Sequence, residues 1–430
     1  MCVGMKGNIC FVVESGLCAG CGTCYSFCPN NAIRIIKNSK NGFLIATVDE
    51  KKCSKCGICV EVCPGFSFDF EKTRRELFKE NKVNFFVGPY LNAYLGYSTD
   101  HDIRYMSSSG GLVTALLLFA LEEGLIDGAI VTKMEGLEAT PIIAENNEEI
   151  IAASGSKYCP VPLNIALKRV LETEKGKKFA IVGLPCHIHG VRKAEKNKEL
   201  KEKIAFLLGL FCGGAPTFSG TEFLFSLLGI KKSDVTSISY RGCGWPGYIQ
   251  IKTKNNKNLR IGHLWSWRIF GIRFFATPRC MVCCDATSEF ADLSFGDAWL
   301  PRIMESDRVG TSIVLSRTDR GEDLLSLALK NRKIELSPLQ LKEVIESQKG
   351  TLLFKKKFEA RARLFKDLYR MPPFFNSGSL KLKFGDYLLN CIYYFNFKIS
   401  RLRFLWRIIP YLAEVENKLG YKLGRMLVHI

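Results

Sequence analysis

Two short cysteine runs constrain this chain more than any other feature. Cys18-x2-Cys21-x2-Cys24-x3-Cys28-Pro29 is followed by Cys53-x2-Cys56-x2-Cys59-x3-Cys63-Pro64. Ten of the 18 cysteines fall in the first 63 of 430 residues. Over the whole length that is too sparse for a disulfide scaffold and too clustered for scattered core thiols. Met1–Lys6 carries one charge and no sustained apolar stretch, so no secretory signal is expected. The longest nearly apolar run, Leu112–Leu121, falls well short of the ~20 residues that span a bilayer. The expectation is a cytoplasmic protein, at most peripheral on the inner face of the membrane. Thiols there are read as metal ligands or redox groups.

Each run has the spacing of a bacterial two-cluster ferredoxin. Three closely spaced thiolates on a tight loop grip three irons of one cubane. The fourth, expected to start a helix on the other side, serves the second cluster. Cys18, Cys21, Cys24 and Cys63 are therefore assigned to one [4Fe–4S] cluster, and Cys53, Cys56, Cys59 and Cys28 to the other. Zinc sites usually take two separated ligand pairs, which these runs fit poorly. Small residues at Ala19, Gly20, Gly22 and Gly57 let backbone N–H groups turn toward cluster sulfurs. Asn38–Gly42 is a turn signal that predicts a β-hairpin between the runs.

Beyond the charged stretch at residues 71–84, helix and strand patterns alternate. Gly111–Glu123 reads as a helix, Asp127–Lys133 as a buried strand, Pro162–Glu174 as a helix and Lys178–Val182 as a strand. Ile204–Cys212 is a further strand, Phe218–Leu228 a helix, and Val235–Arg241 with Tyr248–Lys254 a strand pair. The fold class is α+β. An N-terminal two-cluster ferredoxin domain (1–75) and a linker (76–94) lead to an α/β core (95–345). A basic helical C-terminal region (346–430) follows. The formal net charge is +19 at pH 7, and residues 351–430 hold +11 of it.

Several core motifs occur together. They are Ser107-Ser-Ser-Gly-Gly-Leu-Val-Thr114, Gly155-Ser-Lys-Tyr158, Gly183-Leu-Pro-Cys-His-Ile-His-Gly-Val-Arg192 and Leu210-Phe-Cys-Gly-Gly214. Tyr240-Arg-Gly-Cys-Gly-Trp-Pro-Gly247, Cys280-Met-Val-Cys283 and Ala291-Asp-Leu-Ser-Phe-Gly-Asp-Ala-Trp299 follow. In that order the chain, over roughly residues 10–320, resembles the beta subunit of coenzyme F420-reducing hydrogenase and F420H2 dehydrogenase. That family also includes 7-hydroxymethyl chlorophyll a reductase. The resemblance implies FAD and [4Fe–4S] cofactors and electron exchange between a hydride carrier and one-electron acceptors. It also implies a third cluster on Cys186, Cys212, Cys280 and Cys283. Buried inert thiols or zinc are the alternatives there, with Cys284 and Cys243 as substitute ligands. Cys2, Cys10, Cys159 and Cys391 read as plain thiols.

Ser107, Ser108, Ser109, Gly110 and Gly111 open a helix that also carries Thr114. Their backbone N–H groups suit a pyrophosphate, although a plain serine cap fits them too. Gly155, Ser156, Lys157 and Tyr158 belong to the flavin pocket by resemblance. Lys157 would place positive charge near the flavin N1–C2=O edge, and Arg241 is a similar candidate. His187 and His189 are either proton relays or hydrogen-bonded turn residues. Asp297 either holds a ligand hydroxyl or caps a turn. Trp245, Trp265, Trp267 and Trp299 read as packing, with stacking of one of them on a ring as the alternative.

The function expected is that of an iron–sulfur flavoenzyme, an oxidoreductase working between coenzyme F420 or an organic substrate and one-electron carriers. Two alternatives stand beside it: a non-catalytic electron-transfer adaptor in a larger complex, and a ferredoxin-driven reductase of one organic substrate. The partners expected are a redox protein or small hydride donor. The C-terminal region, where Arg401, Arg403 and Arg407 lie among Phe404, Leu405, Trp406, Ile408 and Ile409, suits an anionic membrane surface or a partner subunit. No nucleic-acid-binding module accompanies the charge.

Overall fold

The structure, a computed structural model, describes residues 7–38, 42–78, 82–365, 374–381 and 383–427. The tip of the expected hairpin and Cys2 lie outside the described residues.

The N-terminal cysteine runs fold as expected in outline. Strands Ile33–Lys37 and Leu44–Val48 pair antiparallel, with Ile33 opposite Val48 and Lys37 opposite Leu44. Two short helices, Thr23–Ser26 and Ile58–Glu61, carry the third cysteine of each run. Gly22 (φ +90°) and Gly57 (φ +81°) precede them in the left-handed region, where a side chain would be strained. One expectation is corrected: Cys28 and Cys63 follow these helices and do not begin new ones. The reason is the proline after each, which fixes the chain in a turn away from the helix.

An eight-stranded mixed sheet forms the core. Its strands lie in the order Ile334–Pro338, Asn92–Ser98, Ser312–Ser316, Leu293–Asp297, Ile204–Leu210, Phe179–Gly183, Gly128–Glu135, Glu138–Ala144. The four strands from Leu293–Asp297 to Gly128–Glu135 run parallel. Such strands are buried on both faces, which explains apolar runs such as Phe179-Ala-Ile-Val182. Helices Leu112–Glu122 and Asp319–Lys330 cover one face, packing Leu116, Phe119, Leu324 and Leu325 against Ala129, Leu208 and Val314. Helix Pro185–Ala194 and the ferredoxin segment cover the other, around Phe68, Phe70, Ile188 and Phe290. A three-stranded antiparallel sheet, Val235–Ser239, Tyr248–Thr253 and Asn258–Gly262, stands beside this core.

The expected domain boundaries cut through elements. Position 75/76 falls inside helix Phe70–Leu77, 94/95 inside strand Asn92–Ser98, and 345/346 inside helix Leu341–Lys356. Charge composition changes gradually there, whereas hydrogen bonding and packing continue. The C-terminal region is an integral part of the packing. Phe354, Phe365 and Phe397 share a core with Ile9, Cys24 and Cys59. Trp406, Ile409 and Ala413 pack with Phe223 and Phe275. Among the described residues no helix is long and apolar enough to cross a membrane.

Candidate functional site

The cysteines gather into three groups. Cys18, Cys21, Cys24 and Cys63 are within each other's electrostatic reach, and burial pushes the Cys18 thiol up to about 12. Cys28, Cys53 and Cys56 surround Cys59, whose thiol burial pushes up to about 11, and all four line one small cavity. Cys186, half-buried, faces Cys212, Cys280 and Cys283, and also Cys21 of the first group. Cys24 of the inner ferredoxin quartet is in turn within reach of Cys59, so the groups adjoin in the order core quartet, inner ferredoxin quartet, outer ferredoxin quartet. Cys56, in the outer quartet, is exposed. Every described cysteine is a free thiol. Among the described residues no three His, Cys, Asp or Glu side chains close on one point tightly enough for a single metal ion. Four thiolates that each face a different iron of a cubane stand farther apart than that.

The ferredoxin segment is seated on the core by buried hydrogen bonds at the inner quartet. Asn164 donates from Nδ2 to Thr23 Oγ1 (2.8 Å) and to the His187 carbonyl (2.9 Å), while its own N–H donates to the Cys21 carbonyl (2.9 Å). Lys193 donates to the Cys63 carbonyl (2.7 Å), and Arg279 Nε to the Gly65 carbonyl (3.2 Å).

A cavity of about 520 Å³ opens at the carboxyl ends of the parallel strands, where open α/β sheets bind ligands. Its wall holds Ser107, Ser108, Ser109, Gly111, Thr114, Gly155, Ser156, Lys157, Tyr158, His187, Arg241 and Asp297, and it reaches Cys212. Sequence-selected residues more than a hundred positions apart are thereby brought to one space. Ser108 Oγ accepts from the Ser156 N–H (2.7 Å), locking the two small-residue loops together. Lys157 donates to the carbonyls of Ala153 (2.5 Å), Ser154 (3.0 Å) and Gly155 (2.8 Å), and burial pushes it down to about 8. Arg241 and Asp297 form a two-pronged ion pair, both contacts at 2.7 Å, and Trp245 Nε1 donates to the same carboxylate (2.8 Å). Burial alone would raise Asp297; the Arg241 charge holds it below the ordinary carboxylate range.

Three expected site residues do other work. Gly110 does not line the cavity; it lets the loop approach the Gly96 carbonyl and Ser312, where a Cβ would clash. His187 accepts the Leu184 N–H at Nδ1 (3.2 Å), leaving Nε2 to donate to the Val161 carbonyl (3.1 Å). Burial pushes it down to about 4, and both ring nitrogens are engaged within the first turn of helix Pro185–Ala194. His189 lies away from the cavity. It stacks on Phe68 (4.3 Å between ring centres) and pairs with buried Asp285 (2.9 Å).

The cavity also holds residues that sequence reasoning read mainly as packing or passed over. Trp267 and Trp299 line it, with His263 between them and Tyr158. Helix Leu341–Lys356 contributes Ser347, Gln348, Gly350 and Thr351, and Gln348 donates to the Asp297 carbonyl (2.8 Å). Trp299 closes the Ala291–Trp299 motif, but no motif marks Trp267, His263 or the positions on helix Leu341–Lys356.

A two-cluster cysteine module packed on an α/β core with its own cysteine quartet defines an iron–sulfur oxidoreductase. Residues 17–65 match the 4Fe-4S dicluster domain. Residues 93–168 and 176–342 match the N-terminal and C-terminal models of the coenzyme F420 hydrogenase/dehydrogenase beta subunit. The chain belongs to that family. It is 30% identical over 268 residues to the coenzyme F420 hydrogenase subunit beta of Methanosarcina barkeri, covering 59% of this chain and 84% of that protein. The corresponding subunit of Methanothermobacter thermautotrophicus is 28% identical over 262 residues, covering 59% and 86%. The coenzyme F420-dependent sulfite reductase of Methanocaldococcus jannaschii is 28% identical over 366 residues. That match covers 81% of this chain but only 51% of the reductase. Among solved structures, a chain of the F420-reducing [NiFe] hydrogenase complex from Methanosarcina barkeri superposes with a TM-score of 0.55. It is 25% identical and covers 68% of this chain and 99% of that one.

Proposed function

We propose that the chain is an iron–sulfur flavoprotein that passes electrons between a hydride carrier of the coenzyme F420 kind and one-electron carriers. The observation that carries this reading is contiguity. The cavity reaches Cys212 of the core quartet, and Cys186 of that quartet faces Cys21 of the inner ferredoxin quartet. A bound flavin exchanges two electrons as hydride on one side and single electrons on the other. FAD fits the cavity in size and lining: small-residue loops at Ser107–Gly111 and Gly155–Ser156, a half-buried ammonium at Lys157, and aromatic planes at Tyr158, Trp267 and Trp299. In this reading Lys157 orients and charge-balances the ring edge. Arg241 and Asp297 hold the wall shape, and the apolar strand ends exclude water. The three cysteine quartets hold three [4Fe–4S] clusters, with ligands Cys18, Cys21, Cys24 and Cys63; Cys28, Cys53, Cys56 and Cys59; and Cys186, Cys212, Cys280 and Cys283.

A donor panel on anaerobically purified protein tests the reading. Bleaching of bound flavin by reduced F420 supports it. Turnover of an added organic substrate with reduced ferredoxin alone supports a dedicated reductase instead. The relatives' standing as subunits of larger enzymes favours one second reading, an electron-transfer adaptor that turns over only with its partner present. The same relatives lead us to assign the basic C-terminal face to a partner subunit. Phe384, Phe404 and Tyr411 are 89%, 77% and 74% exposed there. Flotation of the full chain on vesicles containing anionic phospholipid would overturn that assignment in favour of a membrane surface.

A further inference from the structure

Three cations are buried around the core quartet, and their pairing is incomplete. Lys355 is 1% exposed, and among the described residues no carboxylate lies within ion-pair distance of it. Its neighbour Lys356 points elsewhere, to a buried ion pair with Glu289 (2.7 Å). Lys355 lies one helical turn beyond Thr351, so the two share a helix face. Thr351 lines the cavity beside Gly213, next to Cys212. Arg273 donates to the Gly213 carbonyl (2.8 Å), stacks on Phe354, and leaves its buried Nε without a partner. Arg279 donates to the Pro64 and Gly65 carbonyls and leaves a buried NH1 without a partner. A buried ammonium and two orphaned guanidinium nitrogens need an anion, because an uncompensated buried charge is strongly destabilising. The groups that face Lys355 are the side chains of Cys283, Cys212 and Cys280, which are anionic thiolates when they hold iron.

We propose that Lys355, delivered by a helix that runs past the end of the family match at residue 342, is the counter-ion of the core [4Fe–4S] cluster and raises its reduction potential. Taking up one electron adds one negative charge among the four thiolates. A cation fixed in this dry site favours the reduced state and disfavours the oxidised one. Lys355 is a positioning residue, since it acts through the ligands and not on substrate. The assignment rests on the core-cluster reading above.

The test is an anaerobic, EPR-monitored redox titration of full-length wild type, Lys355→Met and Lys355→Arg, with iron counted in each. The proposal expects Lys355→Met to lower the core-cluster midpoint by a tenfold change in the reduced-to-oxidised ratio, about 59 mV for one electron. Lys355→Arg keeps the wild-type midpoint, and the two ferredoxin signals stay in place in all three proteins. Loss of the core signal in Lys355→Met with retention in Lys355→Arg also supports it. An unchanged midpoint in Lys355→Met overturns the proposal, as does an equal shift or loss in both variants. Wild type holding only about eight irons, two cubanes' worth, instead overturns the core-cluster reading and the assignment with it.

Discussion

At the residue scale the cavity depends on Lys157 and on the Arg241–Asp297 pair. Lys157 is held by three carbonyls but pushed down to about 8, so its charge is present below that pH and lost as pH rises through it. Flavin affinity should therefore fall as pH passes about 8. In Lys157→Met it should be weaker by about tenfold, the loss of one charge-assisted contact, and should show no such step. Fluorescence quenching titrations with FAD at several pH values check this. The Arg241–Asp297 pair behaves differently. Arg241→Met strands a carboxylate and should cost about 3 kcal/mol of stability, and adding Asp297→Asn should recover most of it. Urea unfolding of the two variants measures the difference. Sequence reading reached these residues because loops such as Ser107–Gly111 and Gly155–Tyr158 are built from small or charged types rarely spent on packing. It missed His263, Gln348 and Thr351, which sit on helices and look like ordinary helix residues until the chain folds. It left His187 and His189 open between proton relays and hydrogen-bonded turn residues, because adjacency to Cys186 is visible in sequence while their backbone and Asp285 partners are not.

At the element scale the junction between the ferredoxin segment and the core is set by close backbone approach. Gly190, in helix Pro185–Ala194, faces Thr23 so closely that a Cβ would overlap Thr23 Oγ1 and crowd Asn164. Gly190→Val should cost about 1–3 kcal/mol by overpacking and push the inner quartet away from Cys186. The expected outcome is unchanged iron content with slower electron delivery from the cavity to the ferredoxin clusters, read by stopped-flow absorbance. Unchanged transfer would place the electron path elsewhere. The strands and helices of the core were legible from apolar periodicity, since buried parallel strands such as Ile204–Leu210 are continuous apolar runs. The domain edges were not, because helix Leu341–Lys356 shows no compositional break where it leaves the core and enters the basic region.

At the scale of the whole molecule, three cysteine quartets adjoin one another in order from a cavity at the sheet's carboxyl edge to the outer ferredoxin quartet, where Cys56 is exposed. The ferredoxin pairing of distant cysteines was readable because cubane geometry fixes ligand spacing. The core quartet was not readable from spacing, since Cys186, Cys212 and Cys280–Cys283 meet only through the order of strands in the sheet. The C-terminal region closes the arrangement, supplying part of the cavity wall and a cation beside the core thiolates. The central claim is that one chain holds a flavin site and three clusters in sequence. Quantifying iron, acid-labile sulfide and flavin in anaerobically purified, reconstituted protein tests it most directly. The account predicts about twelve irons, three cubanes of four, and one flavin per chain. About eight irons with no flavin would contradict it, leaving a two-cluster ferredoxin on an inert core.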